Sequence, residues 1–230
     1  MAKATRTVDD IKLDATLVEE DIRIPKNALG VVLFAHASGR SRHSQTANFI
    51  AGILRSANVA TVHFDLLNES EEENLELKAD IPLLSSRLIS ATRMIQKHPD
   101  LKGLPIGYFS TDTGAAAAIC AAAELGPKVI KAIVSQAGHP EIAGSALDLV
   151  KSPVLLLVAE EDEKIIASNE SAYTRLTAAK NLEKIFQSKD LFEKDQILDK
   201  VATLAAQWFE KYLIKWKDYR DKPKKHVFQK

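Results

Sequence analysis

The feature that most constrains this chain is a set of short, continuous apolar runs separated by amphipathic segments. Val31-Val32-Leu33-Phe34-Ala35 runs into His36-Ala37-Ser38-Gly39, and Val59 to Phe64, Ile106 to Phe109, Val129 to Val134, Val154 to Val158 and Leu182 to Phe186 follow. A strand that is apolar at every position, not at alternate ones, is buried on both faces, which is the condition of a parallel sheet covered by helices. The segments between the runs carry helical spacing. Ala47, Ile50, Ala51 and Leu54 share one face of a helix predicted from Thr46 to Ala57. Asp80 reads as the N-cap of a helix to His98, with Pro82 in its first turn and Leu84, Leu88, Ala91 and Ile95 on one stripe. Gly114 to Leu125 is nearly pure alanine, and Gln196 to Tyr212 carries Ile197, Val201, Leu204, Ala205, Trp208 and Tyr212 on one side.

Strand–helix alternation of this kind implies right-handed crossovers and helices on both faces of the sheet. The first thirty residues depart from it. Thr5 to Val8 and Thr16 to Ile24 read as strands with no helix between them, so they form an antiparallel edge on a mainly parallel sheet of about eight strands. No repeat and no Pro/Gly/Ser linker interrupts the pattern, so residues 1–217 read as one α/β domain, followed by a basic tail over residues 218–230. The acidic stretch Glu69 to Asp80 reads as a solvated loop. From Lys211 to Lys230 there are eight Lys/Arg, a solvated helix end with a frayed tail.

Composition then excludes classes of function. Apolar residues make up 46% of the 230 and charged residues 27%, which suits a chain with a sizeable core and not a disordered one. Lys plus Arg and Asp plus Glu are both 31, so no whole-chain charge attracts nucleic acid. No apolar run approaches the roughly 18 residues of a membrane span, and no apolar stretch follows the start of the chain as in a secretory signal. With one cysteine, Cys120, no intrachain disulfide forms, and the expected compartment is the cytoplasm. Cys120 lies inside the alanine helix and reads as buried core. There is no His/Cys cluster at zinc spacing and no Walker-type loop, so neither metal nor cofactor is expected.

In an open α/β sheet, chemistry collects at the carboxyl ends of the strands. After Ile106–Phe109 comes Ser110-Thr111-Asp112-Thr113-Gly114, then the alanine helix. A strand entering a tight turn of small residues and then a helix is the geometry of a nucleophile elbow, whose tip is held in a strained conformation with its side chain standing clear.

At these residues the chain resembles the dienelactone hydrolase-like branch of the α/β-hydrolase family, over roughly Gly30 to Leu213. The family's HGSGSSRHS is similar to His36 to Ser44 here, and its elbow GYFGASTGAAAA to Gly107 to Ala118. Its GGAD-like acid turn is similar to Ala159-Glu160-Glu161-Asp162. Its His before Leu-Phe-Glu falls on Asp190 of Lys189-Asp190-Leu191-Phe192-Glu193. The resemblance implies an α/β-hydrolase fold, with nucleophile, acid and base positions at Asp112, Asp162 and Asp190. It also implies an oxyanion hole from the Thr113 backbone and the loop beginning at His36-Ala37. Two of the three triad positions are therefore changed: there is no Ser or Cys at the elbow and no His at the base position, and Ser110 replaces the first elbow glycine.

A free carboxylate has a pKa near 4, so Asp190 is a weak base at neutral pH. The chain has six histidines. His98 ends a helix and His226 is in the tail. His63 reads as a satisfied core residue, and His36 and His43 match the oxyanion-loop stretch. His139, in Gln136-Ala137-Gly138-His139-Pro140, follows a strand end and can approach the pocket. Three functions stay open at this point. The first is a protein that has lost triad catalysis and binds a small molecule. The second is a hydrolase of esters, lactones, halides or epoxides with Asp112 as nucleophile or an unassigned base. The third is a serine hydrolase with its machinery elsewhere. If the mapping holds, Asp112, Asp162 and Asp190 lie close together.

Overall fold

The computed structural model describes residues 5–8, 20–36, 44–68, 70–159, 161–185 and 194–214. Its strands are β1 (Thr5–Val8), β2 (Glu20–Pro25), β3 (Gly30–His36), β4 (Val59–Asp65), β5 (Ile106–Asp112), β6 (Ile130–Gly138), β7 (Val154–Ala159) and β8 (Lys180–Ile185). They form one sheet in the order β1-β2-β4-β3-β5-β6-β7-β8. β2 pairs antiparallel with both β1 and β4, and every pairing from β4 to β8 is parallel. This is the expected mainly parallel sheet with an antiparallel N-terminal edge.

The helices are α1 (Gln45–Ser56), α2 (Leu75–Ala79), α3 (Ile81–Lys97), α4 (Gly114–Leu125), α5 (Ala146–Leu149), α6 (Glu163–Arg175) and α7 (Lys194–Phe209). A 3-10 turn covers Pro140–Ala143, and a π turn, Glu210–Ile214, ends α7. Two apolar layers result. On one face Leu84, Leu88 and Ile95 of α3 and the alanines of α4 pack on Val31, Leu33, Tyr108 and Ile133. On the other, Ile50 and Leu54 of α1 and Ala205 and Phe209 of α7 pack on Val32, Phe34, Phe109 and Val134. Gly107 sets the depth of that second layer: a Cβ there would lie 2.7 Å from Cε1 of Phe209.

Four expectations change. β5 and β6 run past their apolar stretches, to Asp112 and Gly138, because ladder bonding continues through Ser110–Ser135 and Thr111–Gln136. A central strand needs backbone partners on both sides, and small polar residues supply them as well as apolar ones. The acidic segment is not all solvated loop. It holds α2, capped by Asn74, and Glu71 makes a two-pronged pair with Arg87 of α3 at 2.6 and 2.7 Å. Third, α6 has no counterpart in the sequence reading, since among its thirteen residues only Asn169 and Ala172 are buried and no apolar stripe marks it. Fourth, Cys120 is half-buried, not core. Its Sγ lies 3.9 Å from the Ala143 carbonyl, burial pushes the thiol's pKa up, and it lines a groove of about 600 Å³ between α3, α4 and the 3-10 turn.

Candidate active site

The turn from β5 into α4 is built from backbone outward. Asp112 has φ 50°, the left-handed region that costs a residue with a Cβ about 1–2 kcal/mol. Its side chain is exposed, while Thr113, already in helical conformation, is the N-cap of α4. The neighbouring strand strains at the same level: Ala137 has φ 46°. Between them Gly138 lies opposite Asp112, and a Cβ on it would sit 2.5 Å from Cβ of Ala115, 2.5 Å from Oγ of Ser135 and 3.2 Å from the Asp112 carbonyl. Only glycine lets the end of β6 meet the start of α4 this closely. The His139 N–H closes the junction by donating to the Asp112 carbonyl at 3.0 Å.

Ser110, standing where the family has glycine, is accommodated inward. It is fully buried, and its hydroxyl donates to the Val134 carbonyl at 3.3 Å. The hydroxyls beside the tip are also engaged. Thr113 Oγ1 donates to the Lys78 carbonyl at 2.8 Å, and Thr111 Oγ1 lies 3.0 Å from Nδ1 of His36. Neither stands in for a seryl nucleophile.

His36 ends β3 and is buried, with its Nε2 lacking a partner among the described residues; burial, helped by the neighbouring His63, pulls its pKa down to about 3. It is neutral at physiological pH, which suits a residue that shapes a loop. His63 corrects the sequence expectation. It is core, 1% exposed and stacked on Phe34 at 4.5 Å, but neither ring nitrogen has a partner among the described residues. Burial lowers its pKa to about 4, against the pull of Asp21. His98 accepts the Asp100 N–H at 3.2 Å, away from the elbow.

Asp162 N-caps α6, its carboxylate accepting the Ile165 N–H at 3.0 Å, and the residue is exposed. Ala37, His43, Asp190 and His226 lie outside the described residues, and with Asp190 so does one member of the close carboxylate set expected from the sequence. Among the described residues no group of three or more His, Cys, Asp or Glu is placed to hold a metal, and no helix is long and apolar enough to cross a membrane. The cap makes a direct prediction. Asp162→Ala lowers stability by about 1 kcal/mol, while Asp162→Asn, which still caps, stays near the parent. Thermal unfolding compares them, and equal melting temperatures for the two variants would show that the cap contributes nothing.

The sequence reading missed a network beside the elbow. His139 Nδ1 lies 3.3 Å from Oε1 of Glu141, whose other oxygen accepts from Ser168 of α6. The adjacent Asn169 donates to the carbonyls of Gly138 at 2.9 Å and Ile165 at 2.8 Å. The His-x-Glu spacing is visible in sequence, but nothing local announces a serine from a helix three elements later.

Comparison with known proteins agrees with this architecture. No protein-family model matches the chain. Two Mycobacterium tuberculosis proteins, from strains CDC 1551 / Oshkosh and H37Rv, each carry the name "Putative phosphoribosyl transferase" and are 40% identical over 193 residues, 84% of this chain. That match spans 43% of their length, so the chain accounts for less than half of them. The esterase Est1E from Butyrivibrio proteoclasticus shares the fold at 12% identity, with a TM-score of 0.70 over 88% of this chain and 98% of that one. The crystal structure of dienelactone hydrolase from Anabaena variabilis superposes with a TM-score of 0.82 at 41% identity, over 91% of this chain and 98% of that chain. With identity and coverage of that order joined to the strand order and the strained β5–α4 turn, the chain belongs to the dienelactone hydrolase family of α/β-hydrolase-fold proteins.

Proposed function

We propose that this is a dienelactone hydrolase-like protein that has given up seryl acyl transfer and binds a small molecule over the carboxylate of Asp112. The observation that carries the reading is the left-handed backbone at the β5–α4 junction, with an exposed Asp at its tip. In acyl transfer an elbow hydroxyl attacks the carbonyl and an imidazole takes its proton. Here the tip is a carboxylate and the matching base position is Asp190, so neither step has its usual group. Asp112 stands just before α4, whose first turn presents N–H groups at that end. The name of the M. tuberculosis relatives attaches to chains more than twice as long as the match.

The expected result is no turnover of p-nitrophenyl acetate above background and no labelling by a fluorophosphonate. A saturable rate abolished by that reagent would overturn the reading and place the nucleophile on a serine elsewhere.

One observation favours a second reading, an Asp112-nucleophile hydrolase. Strained non-glycine backbone persists where the surroundings enforce it, and here it holds a potential nucleophile open to solvent. In that reading Asp112 attacks an electrophilic carbon to form an ester, which water must then hydrolyse.

A further inference from the structure

The groove between α3, α4 and the 3-10 turn encloses about 600 Å³, within the roughly 300–1,000 Å³ range of small-molecule sites. It stands apart from the β5–α4 turn. Cys120, which lines it, is six residues into α4 from Gly114, about 9 Å along the helix. The shape follows from the spacing of α3. Ile81, Ser85 and Ile89 recur every fourth residue and form the floor, each buried. Pro82, Ser86 and Ser90 recur one position further on and form the α3 rim. Opposite them, α4 presents Cys120 and Glu124, and Ile142 of the turn, 47% exposed, adds an apolar wall.

Ser85 is the anomaly in this lining. Two other hydroxyls of α3 are satisfied within the fold. Ser86 donates to the Leu83 carbonyl at 2.8 Å, and Thr92 donates to the Leu88 carbonyl at 2.8 Å and meets the Tyr108 hydroxyl. Ser85 is 7% exposed, yet its hydroxyl has no hydrogen-bond partner among the described residues. Buried polar groups in folded proteins are nearly always paired. Because Ser85 faces the groove, the partner it lacks is one that an occupant supplies. Charge narrows what that occupant is. Arg93 and Glu124 are the charged residues of the lining, and they face each other with Nη2 and Oε1 4.0 Å apart. Their charges cancel, and at 62% and 64% exposure both are solvated, so an ionic ligand gains little from either. Burial also keeps the Cys120 thiol protonated, so the interior of the groove is uncharged.

We propose that this groove binds a neutral, mainly apolar molecule carrying one hydroxyl, the class to which medium-chain primary alcohols belong. Ile81, Ile89 and Ile142 take the hydrocarbon, and the hydroxyl pairs with Oγ of Ser85, which can both donate and accept. A carboxylate of the same length would have to shed ionic hydration on entry, with no uncompensated cation to receive it. A pure hydrocarbon would leave Ser85 unpaired. The site is separate from Asp112 and stands whichever chemistry the elbow performs.

The chain has one cysteine, so labelling by N-ethylmaleimide, followed by intact mass, reports occupancy of the groove at Cys120. With the full chain, 1-octanol is expected to slow that labelling saturably and to raise the melting temperature, while ethanol at the same concentration does neither. Octanoate should bind the parent at least about ten-fold more weakly than 1-octanol. Glu124→Gln, which leaves Arg93 uncompensated, should narrow that gap. Ser85→Ala should weaken 1-octanol by about 3- to 10-fold, the loss of one neutral hydrogen bond. Ser86→Phe, at an exposed rim position, lays a ring over the groove and should abolish both effects of 1-octanol while the protein melts like the parent. Absence of any saturable effect of 1-octanol on labelling or melting would overturn the site. Effects that survive undiminished in both Ser85→Ala and Ser86→Phe would overturn it too, since they would come from the solvent. Octanoate binding the parent as tightly as 1-octanol would overturn the neutral ligand class.

Discussion

The double variant Asp112→Ser with Asp190→His hydrolyses p-nitrophenyl acetate, and each single variant stays as inert as the parent. The reason is that triad members act as a unit. A serine without a base keeps its proton, and a histidine without a nucleophile has nothing to activate, so the effect is strongly non-additive. The structure favours recovery on two counts. The β5–α4 junction keeps its left-handed tip, with small alanines behind it, so a serine at residue 112 would inherit the exposed position. Ser110 does not push the turn outward, because its hydroxyl is bonded within the sheet to the Val134 carbonyl. The expected gain is at least about 10²-fold over either single variant, read as initial rate against enzyme concentration. A double variant that folds, melts like the parent and remains inert would show that the mapping of the base onto Asp190 is wrong.

What the sequence made legible, and what it concealed, follows from how local each signal is. The sheet is legible because Val31 to Ala35 and Val154 to Val158 are apolar throughout, and only burial on both faces explains that. The elbow is legible because its requirements are local: a tip residue, small neighbours and a helix. The ends of β5 and β6 are not, since Ser135 and Gln136 look like loop until their ladder partners in β5 are known. α6 is concealed because only two of its residues, Asn169 and Ala172, are buried, and one of them is polar. Asn169 earns its burial by bonding the Gly138 carbonyl rather than by apolar packing. The clamp on His139 is concealed for the same reason, its members coming from two segments 27 residues apart. His63 shows the opposite failure. Its place in an apolar strand marks it as core, but no sequence pattern indicates that both of its nitrogens lack partners.

Those unpartnered nitrogens give the second large effect, a loss of stability in mild acid. His36 and His63 have folded pKa values of about 3 and about 4, below the ordinary 6.5. A histidine with a depressed folded pKa contributes stability that is fully present above 6.5 and is lost as pH falls towards the folded value, because the unfolded chain takes up the proton first. At about pH 5 the unfolded state therefore holds nearly two more protons than the fold from these residues alone. At about 1.36 kcal/mol per proton and pH unit, stability at pH 5 is about 4 kcal/mol below its value at pH 7.5. Charged groups near His63 do not rescue it. Asp21, its register partner on β2, favours the cation, while Arg23 and Arg55 oppose it, and burial outweighs them all. Urea unfolding across this range measures the slope. Carboxylates add their own below pH 5, so the decisive quantity is the difference between the parent and His63→Phe. Phenylalanine keeps the stacking on Phe34 and leaves no nitrogen unsatisfied, so the variant should equal or exceed the parent at pH 7.5. It should also lose one proton's worth of slope between pH 6.5 and 4, making it about 2 kcal/mol more stable relative to the parent at pH 5 than at pH 7.5. Parallel curves for the two proteins would mean that His63 is protonated in the fold or finds a partner there, and the buried neutral pair would have to be abandoned.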